Sequence, residues 1–240
     1  MSKRLQMLAD LVGSGNRIVD VGCDHGYLPV WLVQAGVSPR AIAMDVREGP
    51  LKAAGKHVAE CGLGSYIELR LSDGLRNYEI GEADTLVCAG MGGRLMERIL
   101  TESMDKAGAF KELILQPQSE LGEFRAFLRR ADFEILRETA VCEDGKYYFA
   151  MKAVWRASRG ENGRKTVVEQ SRTQRIYDKF GEGLLRQKHP VLREYLQKQS
   201  EKLREIADTL AGAESERRKA RLSEISEEAD DVECALRLME

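Results

Sequence analysis

Asp20, Gly22, Asp24 and Gly26 alternate acid and glycine within seven residues, and this series is the best candidate in the 240-residue chain for holding a reactive ligand. It follows Ile18, Val19 and Val21, β-branched residues suited to a buried strand. It precedes Tyr27, after which Leu28, Trp31, Leu32 and Ala35 share one helical face up to Gly36. Strand, glycine turn and helix form a nucleotide-cradling unit. A dinucleotide fold sets three glycines as G-x-G-x-x-G so that a pyrophosphate settles on the helix N-terminus. Here an acid stands in the middle glycine's place. A carboxylate aimed into a phosphate cradle repels it, whereas the same carboxylate pairs with an ammonium or a sulfonium. The spacing favours S-adenosylmethionine over NAD, with a βα turn that binds nothing as the plain structural alternative.

Further candidates recur at strand ends. The run Ala41 to Val46 carries Asp45 about 20 residues past the turn, where an α/β fold puts a carboxylate on a ribose or simply caps the next helix. Asp73, before Gly74, can accept from the exocyclic amine of a purine or form an ordinary Asp-Gly turn. Ala89 leads into Gly90, Met91, Gly92 and Gly93, three glycines that offer no packing and so imply a close approach to backbone. The reacting centre is expected there. Gln116 and Gln118 flank Pro117, able to bond the edge of a base or to cap a helix. Cys23 lies inside the glycine turn without a base beside it, and His57 reads as a surface residue.

Seven strands are expected to position these groups. Strands end near Val21, Asp45, Leu71, Ala89 and Gln116, and two last runs from Phe133 and from Tyr147 are predicted as an antiparallel hairpin around Asp144-Gly145. Helical spacing is present in Leu5 to Val12 at the edge of the sheet, after Gly49-Pro50, after Gly93, and through Phe124, Phe127 and Leu128. Past Trp155 the composition changes. Residues 1–156 are read as the ligand-binding domain, 157–190 as a basic linker and docking segment, and 191–240 as a helical hairpin. Tyr177, Phe180, Leu184 and Leu185 are expected to dock back on the first domain. Leu192, Leu196, Leu203, Ile206 and Leu210 make one narrow seam, and Leu222, Ile225, Val232 and Leu236 another, after a break at Ala211-Gly212-Ala213.

A composition of 43% hydrophobic and 32% charged residues fits a globular chain, and no apolar run is long enough for a bilayer. A cytoplasmic location is expected. Five cysteines without a C-x-x-C pair suggest neither a disulfide framework nor a metal site, and Cys88 and Cys142 are read as small buried residues. The net charge of −2 conceals an uneven distribution: Arg156 to Ala220 holds 16 Lys and Arg against 10 Asp and Glu. Such a stretch is either a solvated face or a surface that follows a phosphate backbone.

Taken in order, Asp20 to Pro29, Asp45 with Gly49-Pro50-Leu51, Asp73-Gly74-Leu75, Ala89 to Gly93 and Leu115 to Ser119 resemble the bacterial tRNA (adenine(22)-N1)-methyltransferase family. The resemblance implies an α/β, Rossmann-like class I methyltransferase with a mostly parallel seven-stranded sheet and a small C-terminal coiled-coil appendage. It implies S-adenosylmethionine as cofactor and tRNA as partner, with no membrane or metal, in a monomer or weak dimer. Carried over by position, Gly22, Asp24, Gly26 and Tyr27 surround the methionine part, Asp45 the ribose, Asp73 the adenine, and Gly90 to Gly92 the methyl group and target base. Asp20, Cys23, Val46, Gly74 and Ala89 complete the expected cofactor set. His25, Tyr27, Met91 and Gln118 are the candidates for the base pocket, and Arg125 and Lys146 for added phosphate contacts. A methyltransferase of proteins or small molecules, and a noncatalytic RNA-binding protein, are the competing readings.

Overall fold

Four consecutive buried residues, Ile18–Val21, form β1, from which the sheet grows outward. In the computed structural model, which describes residues 2–156, 171–210 and 216–240, β1 pairs in parallel with β2 (Ala41–Asp45) and with β4 (Thr85–Met91). β3 (Ile67–Leu71) extends the sheet beyond β2, and β5 (Glu112–Pro117) beyond β4, both in parallel. β6 (Phe133–Glu143) and β7 (Lys146–Trp155) form the expected hairpin, with β7 antiparallel to β5. The order is β3-β2-β1-β4-β5-β7-β6. Because successive strands leave β1 on opposite sides, a crevice opens at the carboxyl ends of β1 and β4.

Both faces of the sheet are covered, which is why β1 and β2 are apolar apart from Asp20 and the terminal Asp45. On one face α1 (Lys3–Ala9), α2 (Tyr27–Gln34) and α3 (Glu48–Glu60) bury Leu8, Leu32 and Ala54 against Ile18, Ala43 and Ile114. On the other, α4 (Gly93–Glu102), α5 (Met104–Ala109) and α6 (Leu121–Arg130) bury Met96, Ala107 and Phe124 against Val19, Leu86 and Leu113. The short α5 has no counterpart in the sequence reading, because six residues carry too few turns to show a period. α1 packs on β6 and β7, at that edge of the sheet, and its first turn reaches the crevice.

One expected phosphate contact is corrected here. Arg125 is buried on α6, where its Nε donates to Glu138 Oε1 at 2.7 Å, so it does not face a nucleic acid; Lys146 is exposed. The five thiols are free; Cys88 is buried and Cys142 only half-buried.

The chain divides into two compact units, Met1–Thr166 and Val167–Glu240. In the second, α7 (Arg172–Phe180) and α8 (Glu182–Arg186) precede the long helices α9 (Pro190–Leu210) and α10 (Glu216–Arg237). α9 and α10 are antiparallel, since Arg193 at the start of α9 donates to the Met239 carbonyl past the end of α10. Leu192, Leu196 and Leu203 are buried with Ile225, Val232 and Met239, while Ile206, Leu222 and Leu236 are half-buried. Arg175 and Lys179 of α7 both pair with the buried Asp231 of α10, at 2.8 and 3.2 Å. The basic stretch expected from 157 lies, up to 170, outside the described residues, as does the expected break at Ala211-Gly212-Ala213. Among the described residues, no helix is long and apolar enough to cross a membrane and no group of three His, Cys, Asp or Glu side chains is placed to hold a metal.

Candidate active site

The ends of β1, β2 and β4, with α1 and α4, enclose a cleft of about 820 Å³, within the range of small-molecule and cofactor sites. Its floor is Asp20, the third residue of β1, 5% exposed. No donor among the described residues hydrogen-bonds this carboxyl. Burial pushes its pKa up to about 7, Arg4 opposes that shift, and nearby Asp45 adds to it. A buried acid without a donor is costly, and a cation arriving in the cleft would relieve that cost.

The glycine turn wraps over this floor. Gly22 has φ 78°, and a Cβ there would run into the methyl of Met91, so the turn and the β4 end touch directly. Asp24 sits at φ 50°, lines the cleft with a largely exposed carboxylate, and lies 3.7 Å from His25 Nε2. The Cys23 thiol lines the cleft too, but burial and the neighbouring Asp20 and Asp45 charges raise its pKa, which removes it as a nucleophile. Gly26 is not on the cleft: the place of its Cβ is 3.1 Å from Ala54 Cβ, so its smallness seats α2 on α3.

Asp45 closes the second strand. Its Oδ1 accepts from the Arg47 backbone N–H at 2.9 Å, Oδ2 has no hydrogen bond among the described residues, and exposed Val46 lies beside it. Asp73 and Gly74 line the far end, where Asp73 Oδ1 accepts from Arg98 at 3.2 Å and Oδ2 lies 3.4 Å from Arg76. Reading an adenine amine would use a remaining lone pair of that carboxylate.

At the β4 end, Ala89, Gly90 and Met91 form the opposite wall. The register with β5 slips between Ala89 and Met91, and Gly90 at φ 81° takes up the irregularity. This bulge turns Met91 toward Gly22 and Cys88, whose sulfur is 3.9 Å from that of Met91. Gly92 caps α4 behind the wall, its Cβ place 3.0 Å from Ser119 Oγ, and does not line the cleft. Gln118 is also outside the lining, held by its backbone N–H on the Met91 carbonyl at 2.8 Å, with its amide at the rim beside Gly90.

Tyr27, 57% exposed, stands at the mouth with its ring 5.9 Å from His25 and 4.8 Å from His57. His57 donates Nδ1–H to the His25 carbonyl at 3.2 Å, so three rings, from the turn, the start of α2 and the last turn of α3, share one rim. Sequence reasoning left out His57, Arg4 and Arg98. Each reaches the site from an element remote in the chain, and no local pattern in the sequence signals it.

A sheet with its seventh strand reversed, and a carboxyl-end cleft floored by alternating acids and glycines, define a class I methyltransferase. Residues 1–151 match the family model of the methyltransferase domain. The chain belongs to the TrmK-like tRNA (m1A22) methyltransferase family. It is 38% identical over 153 residues to the tRNA (adenine(22)-N(1))-methyltransferase of Bacillus subtilis, a match that spans 64% of this chain and 64%, just under two thirds, of that relative. A Streptococcus pneumoniae protein proposed to be a tRNA (m1A22) methyltransferase superposes with a TM-score of 0.83 at 32% identity, covering 98% of this chain and 99% of the other. The same protein has been solved in complex with S-adenosyl-L-methionine. The B. subtilis TrmK structure superposes with a TM-score of 0.80 at 29% identity, over 98% of each chain.

Proposed function

We propose that this protein transfers the methyl group of S-adenosylmethionine to N1 of adenosine 22 in the D-loop region of tRNA. The observation that carries the reading is the buried, donor-free Asp20 under a turn where Asp24 replaces a phosphate-cradling glycine, a setting made for a cation. The residues present suit the cofactor. Asp20, Gly22, Cys23 and Asp24 would hold its methionine part, with Gly26 shaping the turn from behind. Asp45 and Val46 would hold the ribose, Asp73 and Gly74 the adenine, and Ala89 and Gly90 the wall next to the methyl, with Gly92 fixing α4 behind it.

When bound, S-adenosylmethionine supplies a methyl group on a positively charged sulfur. Adenine N1 carries an in-plane lone pair, so no proton has to be removed before attack. The task left to the chain is alignment in a pocket cleared of water. Met91 presents an apolar surface across the cleft from the turn, and Gly90 lets a base approach the backbone. His25 and Tyr27 offer ring faces for an adenine lifted out of the tRNA fold, and Gln118 offers an amide for its edge. Positive charge passes to the purine, and Asp24 faces a cation before and after transfer.

Residues 1–156 are assigned to cofactor and chemistry, and 157–190 with 191–240 to the tRNA, in a cytoplasmic monomer or weak dimer. Incubation with methyl-labelled S-adenosylmethionine and unmodified tRNA, followed by nucleoside mapping, tests the function. The expected product is 1-methyladenosine at position 22. Label in a protein fraction, in a small molecule or in another nucleoside would overturn it.

A further inference from the structure

Glu120, the cap residue of α6, stands at φ 50° and ψ 40°, a left-handed conformation that glycine adopts freely and most L residues avoid. Its side chain caps nothing on its own helix. The carboxylate turns instead onto the first residues of α4. Its Oε2 accepts from the Ser119 hydroxyl at 2.5 Å, and its Oε1 lies 3.7 Å from Arg94 Nε. The Ser119 hydroxyl, then the backbone N–H groups of Arg94 and Gly93 and the Arg94 charge, keep this carboxyl below the usual carboxylate range. α4 lacks such a group of its own: its cap is Gly92, without a side chain, and its first turn holds no acid.

The two loops that meet here carry the two sides of the base pocket proposed above. The loop from β4 to α4 begins at Gly90 and Met91, and the loop from β5 to α6 holds Gln118. Two backbone bonds already join them, from the Gln118 N–H to the Met91 carbonyl at 2.8 Å and from the Gly93 N–H to the Ser119 carbonyl at 3.2 Å. A Cβ at Gly93 would fall 2.7 Å from the Ser119 carbonyl oxygen, so glycine lets the loops close on each other. Glu120 adds a side-chain tie to these backbone ones. Glycine at 120 would make the same turn without strain, so what a glutamate adds there is its carboxylate. Glu120 does not line the cofactor cleft.

We propose that Glu120 is a positioning residue for methyl transfer: its carboxylate latches the loop that carries Met91 to the loop that carries Gln118, and so sets the gap that the target adenine enters. The inference rests on the tRNA reading above and adds to it the group that fixes the pocket's width. Attack by N1 needs alignment rather than proton removal, so a gap loosened by about 1 Å slows transfer while the cofactor still binds.

Single-turnover methylation of unmodified tRNA, read beside calorimetric titration with S-adenosylhomocysteine, tests this. Glu120→Gly removes the carboxylate and relieves the turn. It is expected to slow transfer by about tenfold to a hundredfold and to leave S-adenosylhomocysteine affinity within about twofold. Its Tm should stay close to that of the wild type, because the relieved backbone offsets the lost cap. Glu120→Asp, tolerated in the same conformation but one methylene short of α4, should slow transfer in the same way. Glu120→Gln, which keeps an acceptor for the Arg94 N–H, should retain most of the rate. Transfer at the wild-type rate by Glu120→Gly and Glu120→Asp would overturn the inference, leaving 120 as a turn position. Equal loss of transfer and of S-adenosylhomocysteine binding would overturn it too, since the damage would then extend to the cofactor cleft. A raised KM for tRNA at an unchanged transfer rate would replace it with a docking contact. Wild-type protein that methylates no tRNA would instead refute the reading on which the inference stands, whereas failure of the inference is confined to the variants.

Discussion

Asp20 gives the site a pH dependence that can be worked out from its surroundings. The unfolded chain ionises it near its ordinary value of 3.8, whereas burial delays ionisation in the fold to about 7. Between those values the folded state holds the extra proton, so this group's contribution to stability is lost as pH rises toward 7. A cationic ligand requires the charged form, so binding below about pH 7 must release a proton. Affinity for S-adenosylhomocysteine is expected to rise by about tenfold per pH unit up to about pH 7 and to level off above it. Calorimetry in buffers of different ionisation enthalpy checks this, and Asp20→Asn should flatten the profile. At this scale the sequence was informative where chemistry is local. Asp20, Gly22 and Asp24 lie within five residues, and Asp45 and Asp73 follow strand ends, so spacing alone could propose them. Arg4 and His57 could not be found that way, and Gly26 and Gly92 show the converse: glycines in motif position that serve packing behind the cleft.

Elements were legible in proportion to their length and pattern. The parallel strands were plain because both faces are buried, and the Asp144-Gly145 turn identified the hairpin that reverses β7. The α6 to β6 contact was not legible, since a basic residue on a helix says nothing about whether it faces water. Arg125 and Glu138 are 4% and 3% exposed, a buried pair that ties α6 to β6. Removing one partner leaves the other charge buried, so Glu138→Ala is expected to cost about 3–5 kcal/mol in denaturant unfolding. Replacing both by apolar residues of similar size should recover most of that loss. A cost below about 1 kcal/mol for Glu138→Ala would show that the Arg125 charge is compensated without Glu138. The sequence shows the bulge only as a run of glycines; the slip between β4 and β5 explains Gly90, which turns Met91 inward, while Gly92 and Gly93 seat α4 against Ser119.

Across the whole molecule, an acidic cleft and a basic stretch from Arg156 to Ala220 coexist under a net charge of −2. If the basic stretch follows phosphates, tRNA binding must weaken steeply as salt rises, because neutralised phosphates release counterions. Replacing the exposed Arg217 by Gln should weaken tRNA binding at any given salt and lower the slope by about one, with S-adenosylhomocysteine affinity unchanged. A flat salt response in filter binding would assign that surface to another partner. Charge segregation of this kind is invisible in a total and partly visible in a windowed count, but which charges face RNA depends on helix faces that the sequence fixes only where apolar seams are clear. All of this depends on an acid standing where a dinucleotide fold keeps glycine, and the most direct test is a calorimetric comparison of S-adenosylhomocysteine with NAD on the wild-type protein. Saturable binding of S-adenosylhomocysteine with no detectable binding of NAD is the expected result; saturable binding of NAD without S-adenosylhomocysteine would contradict it.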